Sequence, residues 1–123
     1  MQTKDGLIGK DEEERYQKIF LYLFVQKSHV TAERIAEAYF VSRSTLTRFL
    51  GKMESYFENQ FFLDARKSMG YRLEGDELVL RRQAAQIIAA LFRGSYMAED
   101  WYMLLPDELK DKITLEDISE ISK

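Results

Sequence analysis

Apolar and polar positions alternate along the chain in short amphipathic segments. Asp11, Glu12, Glu13 and Glu14 would sit in the first turn of a helix, where the helix dipole favours negative charge, so a helix is predicted to begin near Asp11. Ile19 with Leu23, and Phe20 with Phe24, form the i, i+4 pairs of its apolar face. Lys27 suits its C-terminal end. Ser28-His29-Val30 reads as a short link with room for one brief strand, and His29 reads as a turn residue. Thr31 is a cap for a second helix, because its hydroxyl can accept from a free backbone N–H. Ile35, Ala36 and Tyr39 form the buried stripe of that helix, which ends by Phe40. Ser42 is the matching cap of a third helix running to about Asn59. Leu46, Phe49, Leu50, Met53 and Phe57 fall on one of its faces.

The period changes after Gln60. Phe62-Leu63-Asp64-Ala65 is short and mostly apolar, Arg66-Lys67-Ser68-Met69-Gly70 is a polar turn, and Tyr71-Arg72-Leu73-Glu74 alternates with period two. That pattern predicts a two-stranded hairpin. Asp76 is placed to cap a fourth helix with Leu80, Ala84, Ile87, Ile88 and Leu91 on its core face and Gly94 at its end. One or two short helices are expected in the remainder, which contains the Trp101-Tyr102-Met103-Leu104-Leu105 patch.

Helix, short helix, tight turn, helix and hairpin is the order of a winged helix-turn-helix. The expected fold is mostly α with a small β-hairpin: a three-helix core, a two-stranded wing and additional C-terminal helices. Numbered from Ala32, apolar or small residues occupy the fourth, fifth, eighth, tenth, fifteenth and eighteenth positions: Ile35, Ala36, Tyr39, Val41, Leu46 and Phe49. The ninth position, often glycine because the chain there needs positive φ, is Phe40. That departure suggests a longer or differently shaped turn. The third helix of such a fold offers its outer face to a DNA major groove. Ser44, Thr45, Thr47, Arg48, Gly51 and Lys52 lie on that face. Ser42 would offer its backbone N–H to phosphate, and Arg43 could reach phosphate from the helix start. Arg48 could read guanine or pair with phosphate. Arg66, Lys67 and Arg72 are expected to cluster at the wing tip.

Composition sharpens this picture. The 123 residues carry 18 Lys+Arg and 21 Asp+Glu, a formal net charge of −3, which argues weakly against a protein that coats nucleic acid. The balance is uneven, with 6 Lys/Arg against 7 Asp/Glu in 1–42, 6 against 4 in 43–75, and 6 against 10 in 76–123. The only net-basic third therefore holds the presumed reading helix and wing. With no cysteine and one histidine, thiolate chemistry is excluded and a histidine-based metal site or dyad has little to work with. No cofactor or metal is expected. No serine elbow or glycine-rich phosphate loop is visible, so an enzyme is not expected. No signal-peptide pattern stands in the first 18 residues, and the longest uncharged run, 83–92, is too short to span a membrane. A cytoplasmic protein is the expectation.

Two stretches also resemble a known family. Ile35-Ala36-Glu37 through Val41-Ser42-Arg43-Ser44-Thr45-Leu46 is similar to the helix-turn-helix core of many bacterial regulators. Gly70-Tyr71-Arg72-Leu73-Glu74-Gly75-Asp76-Glu77, followed by Leu80-Arg81, resembles the stretch that closes the helix-turn-helix domain of BglG/MtlR/Mga-type regulators, which usually carry PTS-regulation domains. The resemblance spans roughly residues 15–93. It implies the DNA-binding module of a bacterial transcriptional regulator, with double-stranded DNA as partner and further regulatory domains or PTS proteins as partners of a longer chain. The family's phosphorylated histidines lie in later domains, so His29 is not expected to be a phosphoacceptor. The expected organisation is a flexible tail (1–10), a winged helix-turn-helix with its following helix (11–93), and an acidic helical tail or linker (94–123). A homodimer on a two-fold site is expected. The alternative reading is a winged-helix protein-interaction or dimerisation module without DNA binding.

Overall fold

A computed structural model describes residues 10–91, 105–114 and 116–117. Its elements run α1 (Lys10–Phe24), α2 (Ala32–Ala38), α3 (Arg43–Tyr56), β1 (Phe62–Arg66), β2 (Gly70–Glu74), α4 (Glu77–Leu91) and α5 (Asp107–Lys110). The chain divides into two compact units, Met1–Glu74 and Gly75–Lys123. The expected class, three helices followed by a two-stranded hairpin and further helices, is the architecture observed.

In the first unit the core is built from the predicted faces. Ile19, Phe20, Leu23 and Phe24 of α1, Ile35 and Ala36 of α2, and Leu46, Phe49, Leu50 and Met53 of α3 are all buried. Aromatic rings fill much of the space between α1 and the end of α3. Phe20 lies 5.2 Å from both Phe57 and Phe61, and Phe57 lies 5.3 Å from Phe61, centroid to centroid. Tyr16 stacks on Tyr56 at 4.4 Å and meets Phe49 edge-on at 4.9 Å. These separations are those at which ring pairs add attraction beyond the area they bury. Burial, joined by the nearby Glu13 and Tyr16, pushes the Tyr56 hydroxyl up to about 12.

α2 ends by Phe40 as expected, whereas α1 and α3 stop earlier than their periodicity suggests. α1 ends at Phe24 and not near Lys27, and the Gln26 side chain donates to the Tyr22 carbonyl at 3.1 Å. α2 ends at Ala38, and Tyr39, half-buried, becomes its C-cap while its hydroxyl donates to the Lys18 carbonyl at 2.7 Å. α3 ends at Tyr56 and not at Asn59. Asn59 N–H donates to the Glu54 carbonyl and Glu58 N–H to the Ser55 carbonyl, with both residues at positive φ. That is a Schellman closure, which stops a helix while satisfying its last carbonyls.

The α2–α3 turn corrects the expectation of a longer variant. Val41 N–H donates to the Ala36 carbonyl at 3.1 Å and Phe40 N–H to the Glu37 carbonyl at 3.4 Å. Phe40 itself takes φ 54. The turn is the same Schellman closure, with phenylalanine in the left-handed position where glycine is usual.

β1 and β2 pair antiparallel in the register Phe62↔Glu74 through Arg66↔Gly70. Lys67, Ser68 and Met69 form the tip. The hairpin is fastened at both ends. Leu63 N–H donates to the Glu54 carboxylate of α3 at 2.7 Å. Tyr71 exchanges backbone bonds of 2.9 and 2.8 Å with Val30, the one-residue strand in the α1–α2 link. Gly70, at φ +102, approaches so closely that a Cβ there would lie 2.0 Å from the Val30 carbonyl oxygen.

In the second unit, Asp76 caps α4: its Oδ1 accepts from Leu78 N–H at 2.8 Å and from Val79 N–H at 3.4 Å. Leu80, Ala84, Ala85, Ile87, Ile88 and Ala89 of α4 are buried, as are Leu105, Leu109 and Ile113 around α5. The 1–9 tail, Gly94, and Trp101 through Leu104 lie outside the described residues. No described helix is long and apolar enough to cross a membrane.

Candidate nucleic-acid interface

The site is built on the start of α3. Ser42, in extended conformation, accepts from Thr45 N–H at 3.1 Å through its Oγ. The Ser42 hydroxyl also lies 2.9 Å from Thr45 Oγ1 and 3.2 Å from Ser44 Oγ. The three hydroxyls thus form one polar cluster at the helix N-terminus, where backbone N–H groups favour an anion. Thr47 turns its hydroxyl back to the Arg43 carbonyl at 2.8 Å. That local bond uses the hydroxyl hydrogen and leaves the oxygen able to accept.

Beside α3 runs a groove of about 490 Å³. It is lined by Arg43 and Thr47 of α3, by Arg66, Lys67 and Ser68 of the wing, and by Thr31 to Glu33 at the start of α2. Four of the sequence-derived candidates, Arg43, Thr47, Arg66 and Lys67, therefore open onto one concavity. Three cations and the Glu33 carboxylate line it, and the Arg43 and Arg66 side chains are 68 % and 62 % exposed.

The other candidates are placed differently. Ser44 and Thr45 join Ser42 at the helix start. Arg48 and Lys52 are exposed further along α3. Arg48 lies on the side of α1, near enough to Tyr16 to lower the hydroxyl's proton affinity against the stronger upward pull of burial and of Glu12. Arg72 is not at the wing tip. It sits mid-strand opposite Asp64, with its Nε 3.3 Å from the Glu74 carboxylate.

Two neighbours of the candidate residues escaped the sequence reading. Glu33 meets Arg43, with Oε2 2.8 Å from Nη1. His29, its side chain only 7 % exposed, bonds through Nε2 to Asp64 Oδ2 at 2.7 Å, and the same oxygen accepts from Arg66 Nε at 3.1 Å. Asp64 thereby ties the α1–α2 link to the middle of the wing's first strand. The His29 bond, aided by Arg66 and opposed by partial burial, holds the Asp64 carboxyl below its usual range. From sequence, Glu33 has no assigned role and His29 reads as a turn residue. Only the crossing of α2 over α3 and the docking of the hairpin give them distant partners. Among the described residues no three histidine, aspartate or glutamate side chains come together as a metal site.

Three helices with a short left-handed turn and a basic hairpin beside the third helix define a winged helix-turn-helix. The family model of the Mga helix-turn-helix domain matches residues 12–92. The chain belongs to that family, whose domains are the DNA-binding domains of Mga-type regulators. Neither a curated protein nor a solved structure matches the chain.

Proposed function

We propose that this chain binds specific double-stranded DNA as the DNA-binding module of a bacterial transcriptional regulator. α3 enters the major groove and the wing lies along the adjacent backbone. The observation that carries the proposal is the shared groove: Arg43 and Thr47 of α3 line one concavity together with Arg66 and Lys67 of the wing. A duplex edge seated there would meet a base-reading helix on one side and phosphate-binding cations on the other. The net charge of −3 suits this arrangement, because it limits non-specific coating while the groove stays basic. A homodimer on a two-fold site, cytoplasmic location, and control by further PTS-type regulatory domains belong to the same reading.

Fluorescence anisotropy with a duplex pool of randomised core, measured across salt, tests it. Removing one phosphate contact at Arg66 or Lys67 should reduce the slope of log affinity against log salt by about 1. Replacing Arg48 by alanine should cost about 1–3 kcal/mol if it reads a base. Unchanged affinity and slope in all three variants would place DNA elsewhere or nowhere on this face. The rival reading, a protein-interaction module, draws on Phe40, which is 95 % exposed at the α2–α3 turn. Absence of duplex binding together with self-association would favour it.

A further inference from the structure

Arg43 is the first residue of α3, at the positive end of the helix dipole, where a cation is disfavoured. The first turn of α3 contains no acidic residue to offset it. The compensating charge comes from another element: Glu33, in the first turn of α2, reaches across to Arg43 at 2.8 Å. This is a single contact, Oε2 to Nη1. It leaves the Nε and Nη2 hydrogens of a planar, five-donor group free to face an acceptor outside. A guanidinium paired through Nη1 keeps its Nε–Nη2 edge available, and two parallel N–H donors match the O6 and N7 of guanine in the major groove. First-turn residues of a reading helix are those that reach base edges. Glu33 is itself steadied, because a carboxylate in the first turn of α2 sits at a favourable end of that helix.

We infer that Glu33 is a positioning and specificity-determining residue: it holds Arg43 so that Arg43 reads one guanine, while its own negative charge weakens contact with DNA of the wrong sequence. The inference rests on the DNA-binding reading above and deepens it. Both side chains are exposed, at 61 % for Glu33 and 68 % for Arg43, so substitutions there should leave the fold intact, which a thermal melt checks.

The test is selection and sequencing of bound duplexes from a pool with a randomised core, using the full chain and the variants Arg43→Ala, Glu33→Ala and Glu33→Gln. Arg43→Ala should erase the preference for guanine at one position of the selected site. Glu33→Ala should reduce that same preference by roughly 10-fold, leave the other positions unchanged, and tighten binding to unselected duplex. Glu33→Gln removes the charge but keeps an acceptor oxygen for Arg43, so it should retain most of the guanine preference while also tightening unselected binding. If Glu33→Ala keeps the full preference, Glu33 is only a charge screen and the inference is overturned. If Arg43→Ala alters no base preference although the wild type discriminates sequences, Arg43 is no reader and the inference fails alone. If the wild-type chain selects no sequence, the DNA reading fails first and takes this one with it.

Discussion

Two turns shape the proposed interface, and both require a residue at positive φ. The α2–α3 turn places Phe40 there, at φ 54, and the wing turn places Gly70 there, at φ +102. Their surroundings are opposite. Phe40 is 95 % exposed and closes its helix through backbone bonds alone. Gly70 is pressed against Val30, with backbone atoms where a Cβ would stand. At the first turn only the dihedral angle constrains the residue, and a non-glycine side chain pays a moderate strain for it. At the second, angle and space both exclude any side chain. The angle sets a graded preference, whereas the close approach sets an absolute one.

The largest effect expected from this comparison is at Gly70. Gly70→Ala should cost about 3 kcal/mol or more, since the added carbon combines left-handed strain with overlap that only undocking the hairpin relieves. Chemical denaturation of the variant measures it. A loss below about 1 kcal/mol would mean that the wing tolerates separation from Val30. A further fastening of the wing, between Asp64 and His29, is electrostatic and responds to pH. Asp64 is held below its usual carboxyl range by His29 and Arg66. Its ionised form is therefore the one the fold prefers, and the unfolded chain binds the proton more readily. The stability it contributes is present above the unfolded carboxyl value and is lost as pH falls through the lower folded one. Melting temperature followed through the acid range should fall more steeply in the wild type than in Asp64→Asn. Parallel curves would remove the clasp from the account.

These two fastenings also mark where the sequence ceases to be legible. The helices, their caps at Thr31, Ser42 and Asp76, and the hairpin follow from spacing and local hydrogen-bonding chemistry, which act within a few residues. Val30 was readable as a brief strand, but not its partner Tyr71. The Asp64–His29 bond spans 35 positions, and the Glu33–Arg43 pair depends on how α2 crosses α3. Neither leaves a periodic trace. The same limit explains Arg72: period-two alternation places it in a strand, but only the register, opposite Asp64 and next to Glu74, takes it away from the tip. At Phe40 local reasoning had the right requirement, a positive φ, and drew the wrong consequence. A Schellman closure fixes the backbone through the carbonyls of Ala36 and Glu37 whatever side chain stands at its left-handed position.

That point can be sharpened at Phe40 itself. Phe40→Gly should stabilise the chain by about 1 kcal/mol, because relief of left-handed strain exceeds the added freedom of the unfolded glycine and an exposed ring gives up little packing. Thermal or denaturant melts measure the sign. A loss of stability would show that the ring makes contacts worth more than the strain. If stability rises while binding of DNA or of a second copy falls, the strained aromatic is retained for an external surface.

The smallest effect separates space from function most cleanly. Gly51 lies inside α3 on its exposed face, and a Cβ there would meet nothing within 4 Å. Neither angle nor crowding in the free chain demands glycine. Gly51→Ala should therefore stabilise α3 by roughly 0.5–1 kcal/mol through helix propensity. Against Gly70, where the excluding backbone belongs to the chain itself, any reason for glycine at 51 must lie in a partner that approaches the helix. Duplex affinity should then fall in Gly51→Ala while stability rises, with the salt slope unchanged because no cation is lost. Equal affinity in the variant would mean that DNA passes clear of this part of α3 and contacts only its first two turns.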